Sequence, residues 1–267
     1  MAPARLRRHM KTMARLATLF VAVFAGSLAL AGHALAGAGD DDREVAKVVS
    51  FGGQCVGCEL SGRKLVNAQF NGANFSHASL VGCDLRGAAF FGSVFIGANF
   101  ARADLRGASF SHSIFYGANF ARADLRGAQV MGSQFADTNF TEARLDGLEA
   151  QAANFQRANM TRARFSGADM SGANFMAARL TGARFDNAAM PGAVLMKVDA
   201  SGVDFRGAEM QGANLTAGRF DNADFRHADL SGATLSMGGF ANADWPAIYF
   251  QARMRASISK RASRASI

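Results

Sequence analysis

Three cysteines and three histidines lie outside the first 36 residues, and they have the widest chemical range of any side chains in the chain. Cys55 and Cys58 form a C-x-x-C pair, a spacing used for disulfide exchange, metal ligation or haem attachment. Haem attachment requires histidine at the next position, and position 59 is Glu. Structural zinc takes four ligands, and the nearby sequence offers too few. A redox-active pair belongs beside a βαβ pattern, which is not readable here. Two readings remain for the pair. It is either a disulfide stapling the start of the fold, as suits an exported chain, or Cys58 is a small buried group. Cys83 reads as a small buried group as well.

The elements that must carry these residues follow a period of five. Large apolar residues recur at Leu60, Leu65, Phe70, Phe75, Leu80, Leu85, Phe90 and Phe95, and on through Trp245 and Phe250. Small residues, usually alanine, precede most of them by two, as at Ala68, Ala73, Ala98 and Ala103. Five matches neither the helical period of 3.6 nor the strand period of 2 and points to a solenoid. His77, His112 and His227 each fall two residues after a large centre and face outward. A catalytic triad or metal site needs groups in mutual reach. A second period of 20 keeps the three histidines apart. Residues 96–109 (IGANFARADLRGAS) nearly recur at 116–129 (YGANFARADLRGAQ), so four units make one coil. On that spacing the histidines occupy three different columns. No phosphate-binding loop is present either. The expectation is a protein without catalysis and without cofactor or metal.

Spacing of 20 also sorts the centres. One column runs Phe75, Phe95, Phe115, Phe135, Phe155, Phe175, then Leu195, Leu215, Leu235. Another runs Leu65, Leu85, Leu105, Leu125, Leu145, then Phe165, Phe185, Phe205, Phe225, Trp245. Burying each such side chain is worth about 1.5–3 kcal/mol, so coil-on-coil packing carries the fold. Ala150 and Ala200 break the rule, and Leu148 and Val198 enlarge the neighbouring small positions. These two coils are expected to be locally distorted but continuous.

Segments such as Gly97-Ala98-Asn99-Phe100, Arg102-Ala103-Asp104-Leu105 and Gly172-Ala173-Asn174-Phe175 resemble the A-[DN]-[LF]-x-x unit of the pentapeptide-repeat family. The resemblance covers roughly residues 58–250. It implies an all-β fold, a right-handed quadrilateral parallel β-helix of about 9–10 coils of 20 residues. With strands about 4.8 Å apart, the rod would be about 45–50 Å long. It also implies a protein that is not generally catalytic. Some relatives resemble B-DNA in shape and charge and inhibit or protect DNA gyrase. A mimic of DNA should be strongly acidic, yet residues 58–250 hold 17 basic and 17 acidic side chains. The net charge of +8 comes instead from the two ends of the chain.

Residues 1–36 read as a secretory signal peptide: Arg5, Arg7, Arg8, Lys11 and Arg15, then the uncharged apolar run Leu16–Ala31, then Ala34-Leu35-Ala36 before Gly37. Cleavage after Ala36 would deliver a periplasmic or secreted protein. If uncleaved, the same segment is a membrane anchor, the one route to a membrane read here. Residues 37–57 are expected to be linker and N-terminal cap. Residues 58–250 would be the β-helix, and 251–267 a C-terminal capping helix and basic tail. Arg253, Arg255, Lys260, Arg261 and Arg264 are too few, and lack interleaved aromatics, for nucleic-acid binding.

The surface carries the remaining candidates. Asp-Leu-Arg at 84–86, 104–106 and 124–126 inverts to Arg144-Leu145-Asp146 and Arg184-Phe185-Asp186, then reverts at 204–206 and 224–226. This is either a solvated face with lateral pairing or a docking patch. The patch would comprise Arg144, Arg157, Arg162, Arg164, Arg179 and Arg184, and its partner would be an unknown protein or an anionic envelope component. Trp245, Tyr249 and Phe250 gather at the C-terminal end. They either cap the rod or form an end-to-end homodimer contact.

Overall fold

The computed structural model describes residues 49–51 and 53–246. The expected signal segment, most of the linker, Tyr249 and Phe250, the capping helix and the basic tail lie outside them. The described residues form a right-handed, four-sided parallel β-helix. From Gln54 to Asp224, every fifth residue bridges the residue 20 positions later, always in parallel. The register never slips, because a slip would turn an apolar centre out to solvent.

Each five-residue unit satisfies its backbone in the same way. Around Phe95, the centre donates its N–H to the Ile114 carbonyl of the next coil at 2.7 Å, and Val94 donates to Ala73 of the previous coil at 2.8 Å. Gly97 donates to Tyr116 at 2.9 Å, and Ala98 closes the corner onto Phe95 at 3.1 Å. The first corner residue has no coil neighbour for its N–H. Where Asn or Asp precedes the centre, its side chain supplies the acceptor: Asn99 Oδ1 takes the Ala101 N–H at 3.1 Å, and Asn74 Oδ1 takes the Ser76 N–H at 3.0 Å. This is why Asn and Asp precede the centres so often.

The second corner residue sits in the left-handed region in every coil, whether glycine (Gly117, φ 65°) or not. His77, His112 and His227 occupy such corners at φ 60°, 59° and 64°. Histidine tolerates this conformation better than most residues. That accounts for their positions without chemistry.

The interior is a stack of like on like. Phe75, Phe95, Phe115 and Phe135 lie nearly parallel, with centroids 5.2, 4.9 and 4.6 Å apart. Phe165 through Phe225 continue in another column, and Trp245 stacks 5.1 Å over Phe225. Ser93, Ser113 and Ser133 replace alanine at inward positions and are fully buried. Each hydroxyl accepts an N–H from the coil before and donates to a carbonyl, as Ser113 does with Ser93 N–H at 3.1 Å and the Phe90 carbonyl at 2.6 Å. No buried hydroxyl in this run is left unpaired.

Two local features add to the sequence reading. The ladder begins upstream of residue 58: β1 (Val49–Phe51) pairs in parallel with β2 (Gln69–Asn71). The coil path thus outlasts the sequence pattern, because parallel pairing needs only backbone groups. The expected distortion at Ala150 is absent. Its N–H reaches Asp169 at 2.7 Å, and Leu148 closes its corner at 3.1 Å. Leu148 and Ala150 simply exchange volume. At the other exception, Val198 lacks the corner hydrogen bond to Leu195 that most of its counterparts make, while Ala200 keeps its bond to Arg219 at 2.7 Å.

The next coil absorbs that larger side chain. Gly218 stands where alanine is usual, and a Cβ there would meet Phe220 Cε2 at 2.5 Å and Val198 Cγ2 at 3.2 Å. Phe220 is fully buried and cannot swing out. Gly218→Ala is therefore expected to destabilise by about 1–3 kcal/mol through overpacking. Combining it with Val198→Ala should recover part of the loss. An unchanged unfolding midpoint in the single variant would show that the ring has somewhere to go.

Candidate interaction surfaces

The rod has four sides of different chemistry. The side over Leu65 to Trp245 carries the ion-pair ladder. Asp84 accepts from Arg86 through both oxygens at 2.7 Å, and the same two-point contact joins Arg106 to Asp104 and Arg206 to Asp204. Diagonal contacts tie coils together, as from Arg86 to Asp104 at 3.7 Å and Arg206 to Asp224 at 3.6 Å. Hydrogen bonds from Arg86, Arg106, Arg206 and Arg226 hold Asp84, Asp104, Asp204 and Asp224, respectively, below the usual carboxylate range. Where the pattern inverts, opposite charges stack along the column instead. Arg144 lies 3.9 Å from Asp124, and Arg184 lies 3.9 Å from Asp204.

The six arginines of the expected patch are not one cluster. Arg144, Arg164 and Arg184 share the ladder side, stacked in consecutive coils. Arg162 sits on the corner beside it, Arg179 on the adjoining side, and Arg157 one corner further on. Most are already engaged: Arg157 with Asp137 at 2.7 Å, Arg162 with Glu142 at 3.5 Å, Arg164 with Asp146 at 3.5 Å, Arg184 with Asp186 at 3.3 Å. Among the described residues, the side chain of Arg179 makes neither an ion pair nor a hydrogen bond. An arginine fork of this kind suits a carboxylate or phosphate.

Arg179's own side also bears an amide ladder, with Asn119 donating to Asn99 and Asn139 to Asn119, each at 3.1 Å. Beside it runs a shallow, open groove of about 450 Å³ lined by Asn99, Arg102, Arg122, Asn139, Thr141 and Glu142 among others. Glu142 accepts from Arg122 at 2.9 Å, so the groove has one satisfied ion pair rather than a converging set of reactive groups. Among the described residues, no group of His, Cys, Asp and Glu is placed to hold a metal.

At the N-terminal end Cys55 and Cys58 are joined as a disulfide, with Cα atoms 5.3 Å apart. The bond closes the corner that Cys58 N–H also closes onto the Cys55 carbonyl at 3.3 Å. Cys83 is a buried free thiol facing the Leu60 carbonyl, and burial pushes its pKa up to about 11. A thiol so raised is a poor nucleophile.

The repeat geometry agrees with the family model. Eight copies of the pentapeptide-repeat model match residues 54–90, 93–129, 133–172, 173–212 and 208–244. The chain belongs to the pentapeptide-repeat family. Among solved pentapeptide-repeat proteins, it is similar to HetL, involved in heterocyst differentiation regulation in the cyanobacterium Nostoc. The identity is 28%, covering 73% of this chain and 91% of that one, with a TM-score of 0.37. It is similar also to a trypsin-treated variant of QnrB1, a plasmid-mediated fluoroquinolone resistance protein, at 19% identity, 82% and 98% coverage and a TM-score of 0.45. A pentapeptide-repeat protein of the Arabidopsis thaliana thylakoid lumen matches at 22% identity, 51% and 77% coverage and a TM-score of 0.23. No curated protein matches the chain significantly.

One surface of this pentapeptide-repeat rod escapes a reading made unit by unit. The side over Phe75 to Phe175, opposite the ion-pair ladder, carries no Asp, Glu, Lys or Arg on its face or on the corner that precedes it. Its bridging residues are Asn74, Val94, Ile114, Gln134, Asn154, Asn174, Val194, Asn214 and Thr234. The exposed large apolar residues of the described chain, Val56, Phe91, Ile96, Tyr116, Met131 and Met237, all stand on the two corners that border it. Sorting the outward residues by 20, as was done for the inward ones, is the signal that reveals it.

Proposed function

We propose that the protein is an exported, non-enzymatic pentapeptide-repeat scaffold that binds a macromolecule along its long sides. The partner is a protein or an anionic component of the cell envelope. The observation that carries this reading is the chemical division of a regular rod: one side laddered with charge, the opposite side free of it. Such a surface can orient an extended partner and select it by charge. Arg179 and the groove arginine Arg102 supply fresh donors, since neither has an ion-pair partner among the described residues; Arg63, Lys64 and Lys197 share that property elsewhere on the rod. Export is supported by the basic start, apolar run and Ala34-Leu35-Ala36 site of the first 36 residues.

Fractionating the source cells and weighing the intact protein tests the address. The expected species is periplasmic or secreted and begins at Gly37. Crosslinking in that fraction should then capture an envelope partner, and Arg179→Glu should reduce the yield severalfold. A full-length cytoplasmic form that inhibits gyrase supercoiling would replace this reading with that of a gyrase modulator.

A further inference from the structure

The uncharged side has a symmetry along its length that points to its occupant. Its trailing corner reads, coil by coil, Val56, Ser76, Ile96, Tyr116, Ala136, Gln156, Met176, Met196, Thr216, Ser236. Between Ser76 and Thr216 it reads the same backwards: a polar residue, two large apolar residues, a small or amide middle, two large apolar residues, a polar residue; Val56 and Ser236, outside that stretch, do not match. The bridging column follows it in part: Val94 and Val194, and Asn74 and Asn214, lie equally far from the Gln134–Asn154 pair at its centre, while Ile114 has Asn174 as its counterpart. The preceding corner places Phe91 and Pro191 in the same relation. The charged residues bordering the middle, Asp137 and Arg157, have opposite signs and flank the same centre. A two-fold axis across the side, between Ala136 and Gln156, lays Ile96 on Met196, Tyr116 on Met176, Val94 on Val194 and Asp137 against Arg157, with Ile114 on Asn174, Met131 on Gln151 and Lys197 on Gly97 as the mismatched pairs.

We propose that this side is covered by a second copy of the chain, the two rods packed face to face and antiparallel. Ile96 and Tyr116 of one copy rest on Met196 and Met176 of the other, with Phe91 over Pro191. The contact is isologous, as a closed dimer requires. Methionine suits the opposing position because it packs against irregular aromatic surface. A face about 45 Å long and about 10–15 Å wide offers on the order of 500–700 Å² per partner, at the low end for a stable interface. The dimer should accordingly form in the micromolar range. The ion-pair ladders then face outward on both sides of the dimer and stay free for other partners. The pairing depends neither on export nor on the identity of those partners.

Sedimentation velocity on the intact protein over a range of about 1–200 µM tests it. A monomer–dimer equilibrium is expected. Tyr116→Asp and Met176→Arg should each weaken it at least about tenfold, since each buries an unpaired charge twice per dimer. Mixing the two variants should restore dimerisation, because in the mixed pair the new Asp meets the new Arg while the second contact remains native. Both positions face solvent in the single rod, so circular dichroism should show both variants folded. A protein monomeric throughout, or variants that are not rescued by mixing, would overturn the proposal. A dimer insensitive to both changes would overturn it too and place the contact at the Trp245 end. Binding of the monomer to phosphatidylcholine or phosphatidylglycerol vesicles, lost in Tyr116→Asp, would give the face to lipid instead.

Discussion

Phe115→Ala is expected to lower stability by about 3–5 kcal/mol. Phe115 is fully buried at the middle of the longest ring column. It stacks on Phe95 at 4.9 Å and Phe135 at 4.6 Å, and its edges meet Phe110 at 5.4 Å and Phe120 at 5.5 Å. Removing it opens a ring-sized cavity whose walls cannot close. Every neighbouring ring is held by its own column, and every coil is fixed by hydrogen bonds near 2.7–3.1 Å to the next. Close-packed interiors relax little around such a loss. Phe115→Leu should do much less harm, because the same column accepts Leu195 and Leu215 further along. Phe91, exposed on a corner, is the internal control: Phe91→Ala should change stability by less than about 0.5 kcal/mol. Guanidinium unfolding of the three variants checks the order. Equal midpoints for Phe115→Ala and Phe91→Ala would show that stacking does not hold the coils together.

Acid should unfold the protein over a range set by the ladder. Asp84, Asp104, Asp204 and Asp224 titrate below the ordinary carboxylate range because arginine hydrogen bonds favour the charged form. Hydrogen bonds from Arg157 and Arg122 act likewise on Asp137 and Glu142. A carboxylate whose folded value is depressed contributes stability above its unfolded value, near 4, and loses it as pH falls through the lower folded value. The melting temperature should thus be flat above about pH 5 and drop progressively below about pH 4. Each exposed pair contributes little, so the effect rests on many small losses of one sign. Neutralising the partners together, as Arg86→Gln, Arg106→Gln, Arg206→Gln and Arg226→Gln, should flatten the acid limb while leaving the fold intact. An unchanged acid limb in that variant would mean that the ladder pairs are no stronger folded than unfolded.

The disagreements between sequence and structure have specific causes. Counting units from the apolar centres places the start of the helix at residue 58. The coil nevertheless extends to β1, since Val49–Phe51 needs only its backbone to pair. The six arginines gather in one stretch of sequence, yet a period of 20 distributes them over two sides and two corners. Most of them then meet a carboxylate one coil away. Adjacency in a solenoid is set by multiples of 20, so nearness in sequence is a poor guide to nearness in space.

What the sequence determined by itself is the coil. The five-residue spacing of large centres, the small residues two before them and the repeat at 20 leave one way to bury every apolar column. The αL corners and the Asn or Asp caps follow from the same local pattern. Tertiary structure alone decided which charges are spent on one another. It also decided which cysteines bond and how Gly218 makes room for Val198. These depend on contacts between coils, where residues 18 to 23 positions apart in the chain meet at hydrogen-bonding distance. A local pattern fixes the direction in which a side chain points, but only the stacked coils fix its neighbours.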